Sequence, residues 1–260
     1  MFQTIQVQQD PGVTTLSLHR PEVYHALNAT LLLELTEAIQ TATEDPSVRV
    51  IVLTATGDKA FSSGADLKAG FQGEPKPLGD TLRATYNPLI TAIRRAPKPV
   101  ICQLNGIAAG AGMSLALACD LIIAREDTYM TELFVGIGLM PDAGSMYFLP
   151  RLIGMQKTFD LISTGRKIPI SEALALGLVA ESVPFDQLST AVAKRVDYYK
   201  NAPTVAIGQM KQVLNQSYQH SLEEVLEQEA VAQTTCGFSF DFGEGVLAFL
   251  EKRPPAFKGR

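Results

Sequence analysis

The chain has 260 residues, of which 46% are apolar and 19% charged, proportions typical of a compact globular protein that exclude a disordered one. Its 27 acidic residues outnumber its 22 basic residues, and this net charge of −5 argues against a nucleic-acid partner. Cys102, Cys119 and Cys236 are too few and too scattered for a disulfide framework. The N-terminus shows no secretory signal, so we expect a cytoplasmic protein.

The first elements alternate between strand and helix patterns. Ile5 to Val7 and Val13 to Leu18 flank the turn residues Asp10-Pro-Gly12, which predicts a β-hairpin. Thr30 to Thr43 has apolar residues at helical spacing and predicts a helix. Val50 to Thr54 is a short apolar run, typical of a strand that is buried on both faces of a parallel sheet.

The middle of the chain continues this alternation. We predict a polar loop from Ala55 to Ala69, a second and more loop-like segment from Gly70 to Gly79, and a helix from Thr81 to Arg95. Val100 to Leu104 is a second buried strand. The 19 residues from Gly106 to Ala124 carry a single charge and approach the length of a membrane span.

A membrane span is not the interpretation that we adopt for that segment. Asp120 would be costly to bury in lipid, and the composition divides into a Gly/Ala half and a β-branched half. We therefore predict a buried helix at Ala109 to Cys119, a buried strand at Leu121 to Ala124, and no membrane association.

The repeated strand, loop and helix units predict an α/β protein with a parallel sheet. After Asp142 the chain is mostly helical. Beside one short run at Val179 to Pro184, the predicted helices are Ser145 to Ile153, Lys157 to Thr164, Ser171 to Leu176, Phe185 to Asn201 and Thr204 to Thr235.

Two turns place small residues between a buried strand and a helix. One is Phe61 to Lys68, FSSGADLK, and the other is Asn105 to Gly112, NGIAAGAG. Open α/β folds bind ligands at such turns, and helix N-termini leave N–H groups unpaired. From these residues alone, ordinary tight turns remain the simpler interpretation, because Gly-rich turns are common in proteins. Neither of the nucleotide-binding patterns GxGxxG and GxxxxGK[ST] is present.

Seven motifs in the same order resemble the crotonase (enoyl-CoA hydratase/isomerase) superfamily over nearly the whole chain. They are Arg20-Pro21 with Ala26-Leu27, FSSGADLK, NGIAAGAGMSLALACD, GLMPDAGS, LPRLIG, ISEALALGLV and FLEKRPPAF. The resemblance implies a crotonase-like spiral of ββα units over residues 1–200, with the acyl-CoA site, and a helical region over 201–260 for trimerisation. It also implies acyl-CoA thioesters as substrates, with coenzyme A as part of the substrate and no separate cofactor.

The resemblance implies an oxyanion hole, which is a pair of backbone N–H groups that stabilises negative charge on the thioester oxygen. These donors fall on Ala65 and Ala111. Hydratases of the superfamily also use two glutamates, whose positions are occupied here by Ser114 and Phe134. Neither residue can act as an acid or base in place of a carboxylate, so simple hydration is disfavoured.

Asp142 is the candidate catalytic residue. In the superfamily, isomerases of the ring-1,2-epoxyphenylacetyl-CoA type carry an Asp there, and they share the GAG turn and a YNPL-like stretch, here Tyr86 to Leu89. In an apolar pocket beside Phe134, we expect the pKa of Asp142 to be raised. From the residues alone, a helix N-cap is the competing interpretation of Asp142. Glu132 is a minor second candidate, with a solvated edge residue as its simpler interpretation.

The resemblance further implies substrate contacts and an oligomer. Phe249 and Lys252 match positions that reach the CoA of a neighbouring subunit, so we expect a homotrimer or a hexamer formed by two trimers. We expect no metal, because His19, His25 and His220 lack partners at ligand spacing. The predicted substrate and CoA contacts are Val23, His25, Ser63, Asp66, Leu67, Phe134, Leu139, Phe249 and Lys252.

Three functions stay open at this point. The leading one is an acyl-CoA isomerase that moves a double bond or rearranges an aromatic-derived epoxide, in fatty acid metabolism or phenylacetate catabolism. The second is an enoyl-CoA hydratase that uses Asp142 and Glu132. The third is a non-catalytic acyl-CoA-binding protein, for which the substituted glutamates would mark lost chemistry.

Overall fold

The computed structural model describes residues 2–70 and 77–260. In these residues the strands are β1 (Ile5–Asp10), β2 (Val13–Leu18), β3 (Val50–Ala55), β4 (Ala60–Ser62), β5 (Val100–Leu104), β6 (Ile107–Ala109), β7 (Leu121–Arg125), β8 (Tyr129–Thr131), β9 (Ile168–Pro169) and β10 (Glu181–Val183). The helices are α1 (Ala29–Glu44), α2 (Leu67–Gly70), α3 (Leu78–Thr81), α4 (Asn87–Arg95), α5 (Ala111–Leu117), α6 (Ser145–Thr164), α7 (Ile170–Ala175), α8 (Phe185–Lys200), α9 (Thr204–Gln216), α10 (Leu222–Gly237) and α11 (Phe240–Glu251). A π-helical turn, Leu82–Tyr86, joins α3 to α4.

A six-stranded sheet in the order β1-β2-β3-β5-β7-β10 forms the centre of the fold. The β1–β2 hairpin is antiparallel, and every later pairing in this sheet is parallel. All six residues of β3 are buried, as its continuous apolar run predicts for a strand that is covered on both faces. The hairpin, the buried strands and the α/β class are therefore confirmed.

A second, four-stranded sheet has the order β4-β6-β8-β9. Three of its members, β4, β6 and β8, each come directly after a strand of the large sheet, so β3–β4, β5–β6 and β7–β8 are successive strand pairs, and each pair leads into helical structure. This repeat is the spiral of ββα units that the family resemblance implies. The sequence patterns did not predict the small sheet, because strands of two or three residues are too short to show a period.

Several predicted boundaries are corrected by the structure. The loop predicted from Ala55 to Ala69 contains β4 and the start of α2, and the helix predicted from Ala109 begins at Ala111 after β6. The stretch Thr204 to Thr235 is two helices, because α10 has its own N-cap at Ser221. Of the loop predicted at Gly70 to Gly79, residues 71–76 lie outside the described residues, and α3 begins at Leu78.

The chain after residue 184 is dominated by helices, and α9 packs against α10, which packs against α11. α6 bends at Gly154, where φ is 73°, which separates the two helical stretches that the sequence predicts there. Within the described ranges, no helix combines the length and the apolar character needed to cross a bilayer. The division at residue 200 stays a prediction.

Candidate active site

The first candidate oxyanion donor, the Ala65 N–H, lies in the turn after β4. This turn makes a one-residue parallel bridge with Leu27, in which Leu27 N–H donates to Gly64 O (2.8 Å) and Asp66 N–H donates to Leu27 O (3.0 Å). Because N–H groups alternate in direction along an extended chain, the N–H of Ala65 points away from Leu27. Ala65 is exposed, and its N–H donates to no acceptor in the described part of the chain.

The second candidate donor is the N–H of Ala111, the first residue of α5. Gly110 precedes it with φ 52° and ψ −128°, a conformation that glycine adopts readily and other residues rarely do. The N–H of Gly110 donates to Thr131 O (2.8 Å), which ties the turn to the small sheet. As the first N–H of a helix, Ala111 has no intrahelical acceptor, and none is found elsewhere among the described residues.

Glycine brings the two turns together. A Cβ on Gly64 would lie 2.7 Å from Ala109 O and 3.5 Å from Ala111 N, and a Cβ on Gly112 would lie 2.6 Å from Ser62 O. The chain can approach this closely only because these positions have no side chain. Ala65 and Ala111 therefore each adjoin a contact between the two turns, so two free N–H groups lie at neighbouring positions.

Asp142 lies in a strained turn that leads into α6. Ala143 has φ 48° and Gly144 has φ 92°, so two consecutive residues adopt left-handed conformations, which is unusual for alanine. The N-cap of α6 is Gly144, and no side chain in the described part of the structure caps this helix. The competing N-cap interpretation of Asp142 is therefore wrong, because its carboxyl makes no capping hydrogen bond.

The Asp142 carboxyl is half-buried and accepts no hydrogen bond from a side chain or N–H group of residues 2–70 and 77–260. Its Oδ1 atom is buried without a hydrogen-bond partner among the described residues. Burial raises the pKa of this carboxyl to about 6, in the direction that the sequence analysis expects. A carboxylate near its pKa at neutral pH is suited to accept a proton and to return it.

Two aromatic side chains surround this region. Tyr86 is buried, and its hydroxyl donates to Leu27 O (3.3 Å). Burial, followed by the charges of Asp142 and Asp66, raises the pKa of Tyr86, so this phenol lies close to both carboxyls and is neutral. The buried ring of Phe134 approaches Gly110, whose Cβ, if present, would lie 3.7 Å from it. Tyr86 belongs to the YNPL-like motif, but no sequence pattern indicated that it is a neighbour of Asp142.

Glu132 is buried, and the expectation of a solvated edge residue is wrong. Glu132 is 0% exposed, and its Oε1 shares a hydrogen bond of 2.5 Å with Ser145 Oγ. Oε2 is buried without a partner in the described part of the protein. Burial, together with the charge of Asp142, raises the pKa of Glu132 to about 8. Since the strand before Glu132 has only three residues, no sequence pattern indicated on which side its carboxyl would lie.

Several predicted substrate contacts lie along the first turn, which follows β4 and carries Ala65. Ser63 Oγ donates to Val23 O (3.2 Å), and Asp66 forms an ion pair with Arg20 (2.8 Å). The His25 ring is buried, with Nδ1 accepting from Arg20 N–H (3.1 Å) and Nε2 3.0 Å from Thr56 O. Both ring nitrogens are thus engaged within the protein, which leaves the His25 side chain no free polar atom for CoA.

Leu67 and Leu139 are exposed apolar residues, at the start of α2 and shortly before Asp142. Phe249 and Lys252 are not brought to the two turns within this chain. Phe249 is 83% exposed and lines an apolar cavity of about 870 Å³ between α9, α10 and α11, and Lys252 follows α11 with φ 55°. The roles of all four residues stay predictions.

No cluster of three or more His, Cys, Asp or Glu side chains with metal-binding geometry is found in residues 2–70 and 77–260. The groups that the structure does bring together are two free N–H donors, one half-buried carboxyl and one fully buried carboxyl. This set suits chemistry next to a carbonyl, because donors can stabilise negative charge on its oxygen while a carboxylate moves a proton.

The ββα spiral and these paired turns define a crotonase-fold protein. A family model for enoyl-CoA hydratase/isomerase matches residues 8–260. The chain therefore belongs to the enoyl-CoA hydratase/isomerase family, and its resemblance to the superfamily is confirmed.

Similar proteins carry both activities in their names. A "Probable enoyl-CoA hydratase" of Rhodobacter capsulatus is 41% identical, over 100% of this chain and 99% of that protein. The "1,2-epoxyphenylacetyl-CoA isomerase" of Escherichia coli is 34% identical over 100% of both chains. The crystal structure of an enoyl-CoA hydratase from Bacillus anthracis superposes with a TM-score of 0.94 at 33% identity, covering 99% of this chain and 100% of that one.

Proposed function

We propose that this protein is an acyl-CoA isomerase in which Asp142 moves a proton while Ala65 and Ala111 hold the thioester oxygen. The observation that carries the proposal is the state of the Asp142 carboxyl, which is half-buried, has an unpartnered Oδ1 and has a pKa raised to about 6. The glutamate positions of the hydratases hold Ser114 and Phe134, so neither position supplies Asp142 with a second carboxyl that would position water.

With a 3-enoyl thioester the chemistry is as follows. Asp142 takes a proton from the α-carbon, and the electron pair moves into the thioester to form a dienolate. The N–H groups of Ala65 and Ala111 stabilise the negative oxygen. Asp142 then returns the proton to the γ-carbon, so that the double bond moves from position 3 to position 2. One carboxylate suffices because the proton that leaves one carbon is delivered to another.

The substrate is an acyl-CoA thioester, as in the relatives whose names specify CoA. The name of the Escherichia coli relative, 1,2-epoxyphenylacetyl-CoA isomerase, supports an aromatic-derived epoxide as an alternative to a 3-enoyl chain. A trans-2-decenoyl-[acyl-carrier-protein] isomerase of Streptococcus mutans, 32% identical over 100% of this chain and 99% of that protein, supports double-bond migration.

The test is exchange of the α-proton of an acyl-CoA with deuterium from the solvent, followed by NMR. We expect Asp142→Asn to lower the exchange rate by about 10²- to 10⁴-fold, as for loss of a general base, and to retain CoA-thioester binding. Asp58→Asn, at an exposed aspartate, is the matched control. The wild-type rate should rise with pH through about 6, because Asp142 accepts a proton only when ionised. Unchanged exchange in Asp142→Asn would refute the proposal.

Enoyl-CoA hydration is the second candidate, favoured by the name of the 41% identical relative. In that case Asp142 and Glu132 would together have to activate water. The discriminating measurement is the ultraviolet absorbance of crotonyl-CoA, which falls when water adds to its conjugated double bond. A non-catalytic acyl-CoA-binding protein would bind thioesters tightly and exchange no α-proton.

We propose that the active unit is a homotrimer or a hexamer. Phe238, Phe249 and Leu250 are exposed apolar residues at the C-terminal helices of this single chain, which supports burial of this face against another subunit. Light scattering coupled to gel filtration measures the oligomeric state in solution. A monomer that is fully active would refute the proposal.

A further inference from the structure

A chain of buried polar groups joins Glu132 to the second oxyanion turn. Glu132 Oε1 lies 2.5 Å from Ser145 Oγ, which lies 2.8 Å from Ser114 Oγ. Ser114 Oγ in turn lies 3.4 Å from Gly110 O, which also accepts the N–H of Ser114 at 3.1 Å. Glu132, Ser145 and Ser114 are each 0% exposed. The chain therefore runs inside the protein from a carboxyl to a backbone carbonyl.

The protonation state of Glu132 sets the direction of these hydrogen bonds, because each serine hydroxyl has one proton to donate. When Glu132 is ionised, Ser145 donates to the carboxylate and accepts from Ser114. When Glu132 is neutral, its O–H donates to Ser145, Ser145 donates to Ser114, and Ser114 donates to Gly110 O. Only the neutral form therefore delivers a hydroxyl donor to Gly110 O.

Gly110 C=O and Ala111 N–H belong to the same peptide group. A hydrogen bond to the carbonyl oxygen polarises this group and makes its N–H a stronger donor, since hydrogen bonds in a chain reinforce one another. We propose that neutral Glu132 is a positioning residue that strengthens the Ala111 N–H of the oxyanion hole through Ser145 and Ser114. This inference rests on the proposed function only in assigning the Ala111 N–H to the thioester oxygen.

Burial and charge both keep Glu132 neutral at physiological pH. Its Oε2 has no donor among the described residues, so an ionised carboxylate would be left half unsatisfied in a dry site. Asp142 is the charged group whose field acts on Glu132 among the residues that the structure describes, and its negative charge also favours the neutral form. The pKa values of about 6 for Asp142 and about 8 for Glu132 leave a range in which Asp142 is ionised and Glu132 is neutral.

The effect of these polar groups on the Ala111 N–H is modest, because the hydrogen bond from Ser114 Oγ to Gly110 O is long, at 3.4 Å. Removal of one oxyanion donor lowers the reaction rate by about 10²- to 10³-fold. Loss of the hydrogen bond from Ser114 would weaken the Ala111 N–H without removing it, so we expect the reaction rate to fall by about three- to tenfold. The loss should follow pH. Polarisation of the thioester carbonyl should be greatest below about pH 8. It should decline above that pH, because Glu132 ionises and the hydrogen bonds through Ser145 and Ser114 change direction.

The experiment measures the infrared stretch of a ¹³C-labelled thioester carbonyl in bound hexanoyl-CoA, a saturated thioester, from about pH 6.5 to about pH 9.5. A stronger oxyanion hole lowers this frequency. The variants are Glu132→Gln and Ser114→Ala, and Glu37→Gln, at an exposed glutamate of α1, is the matched control. Glutamine can donate its amide N–H to Ser145 at every pH, whereas Ser114→Ala removes the last hydroxyl and leaves Glu132 bonded to Ser145. Thermal unfolding verifies that each variant is folded.

We expect the wild-type and Glu37→Gln proteins to lose part of the carbonyl shift above about pH 8. Glu132→Gln should keep the full shift throughout, and Ser114→Ala should have the reduced shift at every pH. A wild-type shift that is independent of pH, a decline in Glu132→Gln like that of the wild type, or a normal shift in folded Ser114→Ala would each overturn the inference.

The two proposals can fail separately. The carbonyl shift needs a bound thioester but no proton transfer, so it remains measurable in Asp142→Asn. If α-proton exchange survives Asp142→Asn while the shift follows Glu132 as expected, only the role of Asp142 is lost. If exchange depends on Asp142 while the carbonyl shift is unaffected by Glu132→Gln and Ser114→Ala, only the positioning role of Glu132 is refuted.

Discussion

The turns that carry the Ala65 and Ala111 N–H groups differ in how they are held. The first turn is partly exposed, and beside its backbone bridge to Leu27 it is held by two side-chain contacts with the segment before α1, the Arg20–Asp66 ion pair and the bond from Ser63 Oγ to Val23 O. The second is buried and is held by the backbone of Gly110 and by close packing. An exposed turn needs charged and polar contacts to stay ordered, whereas a buried turn is held by shape.

Among changes to the two turns, the largest expected effect comes from deleting the buried donor. Proline is tolerated at the first position of a helix, so Ala111→Pro removes this N–H with little disturbance of α5. We expect α-proton exchange to fall by at least about 10²- to 10³-fold, because one oxyanion donor is lost and the proline Cδ occupies the position in front of it. Ala111→Gly retains the N–H and should keep its rate within a few-fold. Equal rates for both variants would show that this donor is not used.

The next largest effect comes from forcing the turns apart. Gly64→Ala places a Cβ 2.7 Å from Ala109 O at a φ of +94°, so steric overlap adds to left-handed strain. We expect the free energy of unfolding to fall by about 2–4 kcal/mol, with a large loss of activity. Gly57→Ala has a φ of +76°, but its Cβ would have no described atom within 4 Å, so strain alone should cost about 1–2 kcal/mol. Urea unfolding compares the two, and equal losses would contradict the close-contact argument.

Loosening the exposed turn should have a smaller effect. Arg20→Ala removes the ion pair to Asp66 and the bond to Ala26 O. We expect a loss of about 1.5–3 kcal/mol in unfolding free energy, and a KM for acyl-CoA that rises more than kcat falls. Arg20→Lys should recover only part of this, because an ammonium cannot span both partners as a guanidinium does. Full recovery with lysine would mean that charge alone is needed.

The smallest effect is expected at the rim of the same turn. Ser63→Ala removes a 3.2 Å hydrogen bond to Val23 O at an exposed position. The free energy of unfolding should change by no more than about 0.5 kcal/mol, because water replaces the lost partner. A larger loss of unfolding free energy, measured with urea, would show that the Ser63–Val23 hydrogen bond, rather than the Arg20–Asp66 pair, orders this turn.

Local sequence patterns predicted much of the fold. The hairpin, α1 and the long strands β3, β5 and β7 each contain enough residues for a hydrophobic pattern to emerge. The small sheet was missed, because its strands have two or three residues and form only by pairing with distant ones. The family motifs in turn predicted the positions of the site residues, whereas local patterns showed only two glycine-containing turns.

The sequence by itself determined which chemical groups are available, because Asp142 and the residues at Ser114 and Phe134 are set by the motifs. Only the tertiary structure decided how deeply these groups are buried and how strongly they bind protons. The carboxyl of Glu132 is buried by contacts with Ser145, 13 residues away, and Ser145 meets Ser114 across 31 residues. Burial and proton affinity depend on everything that surrounds a group in space, and neighbours along the chain are a small part of that environment.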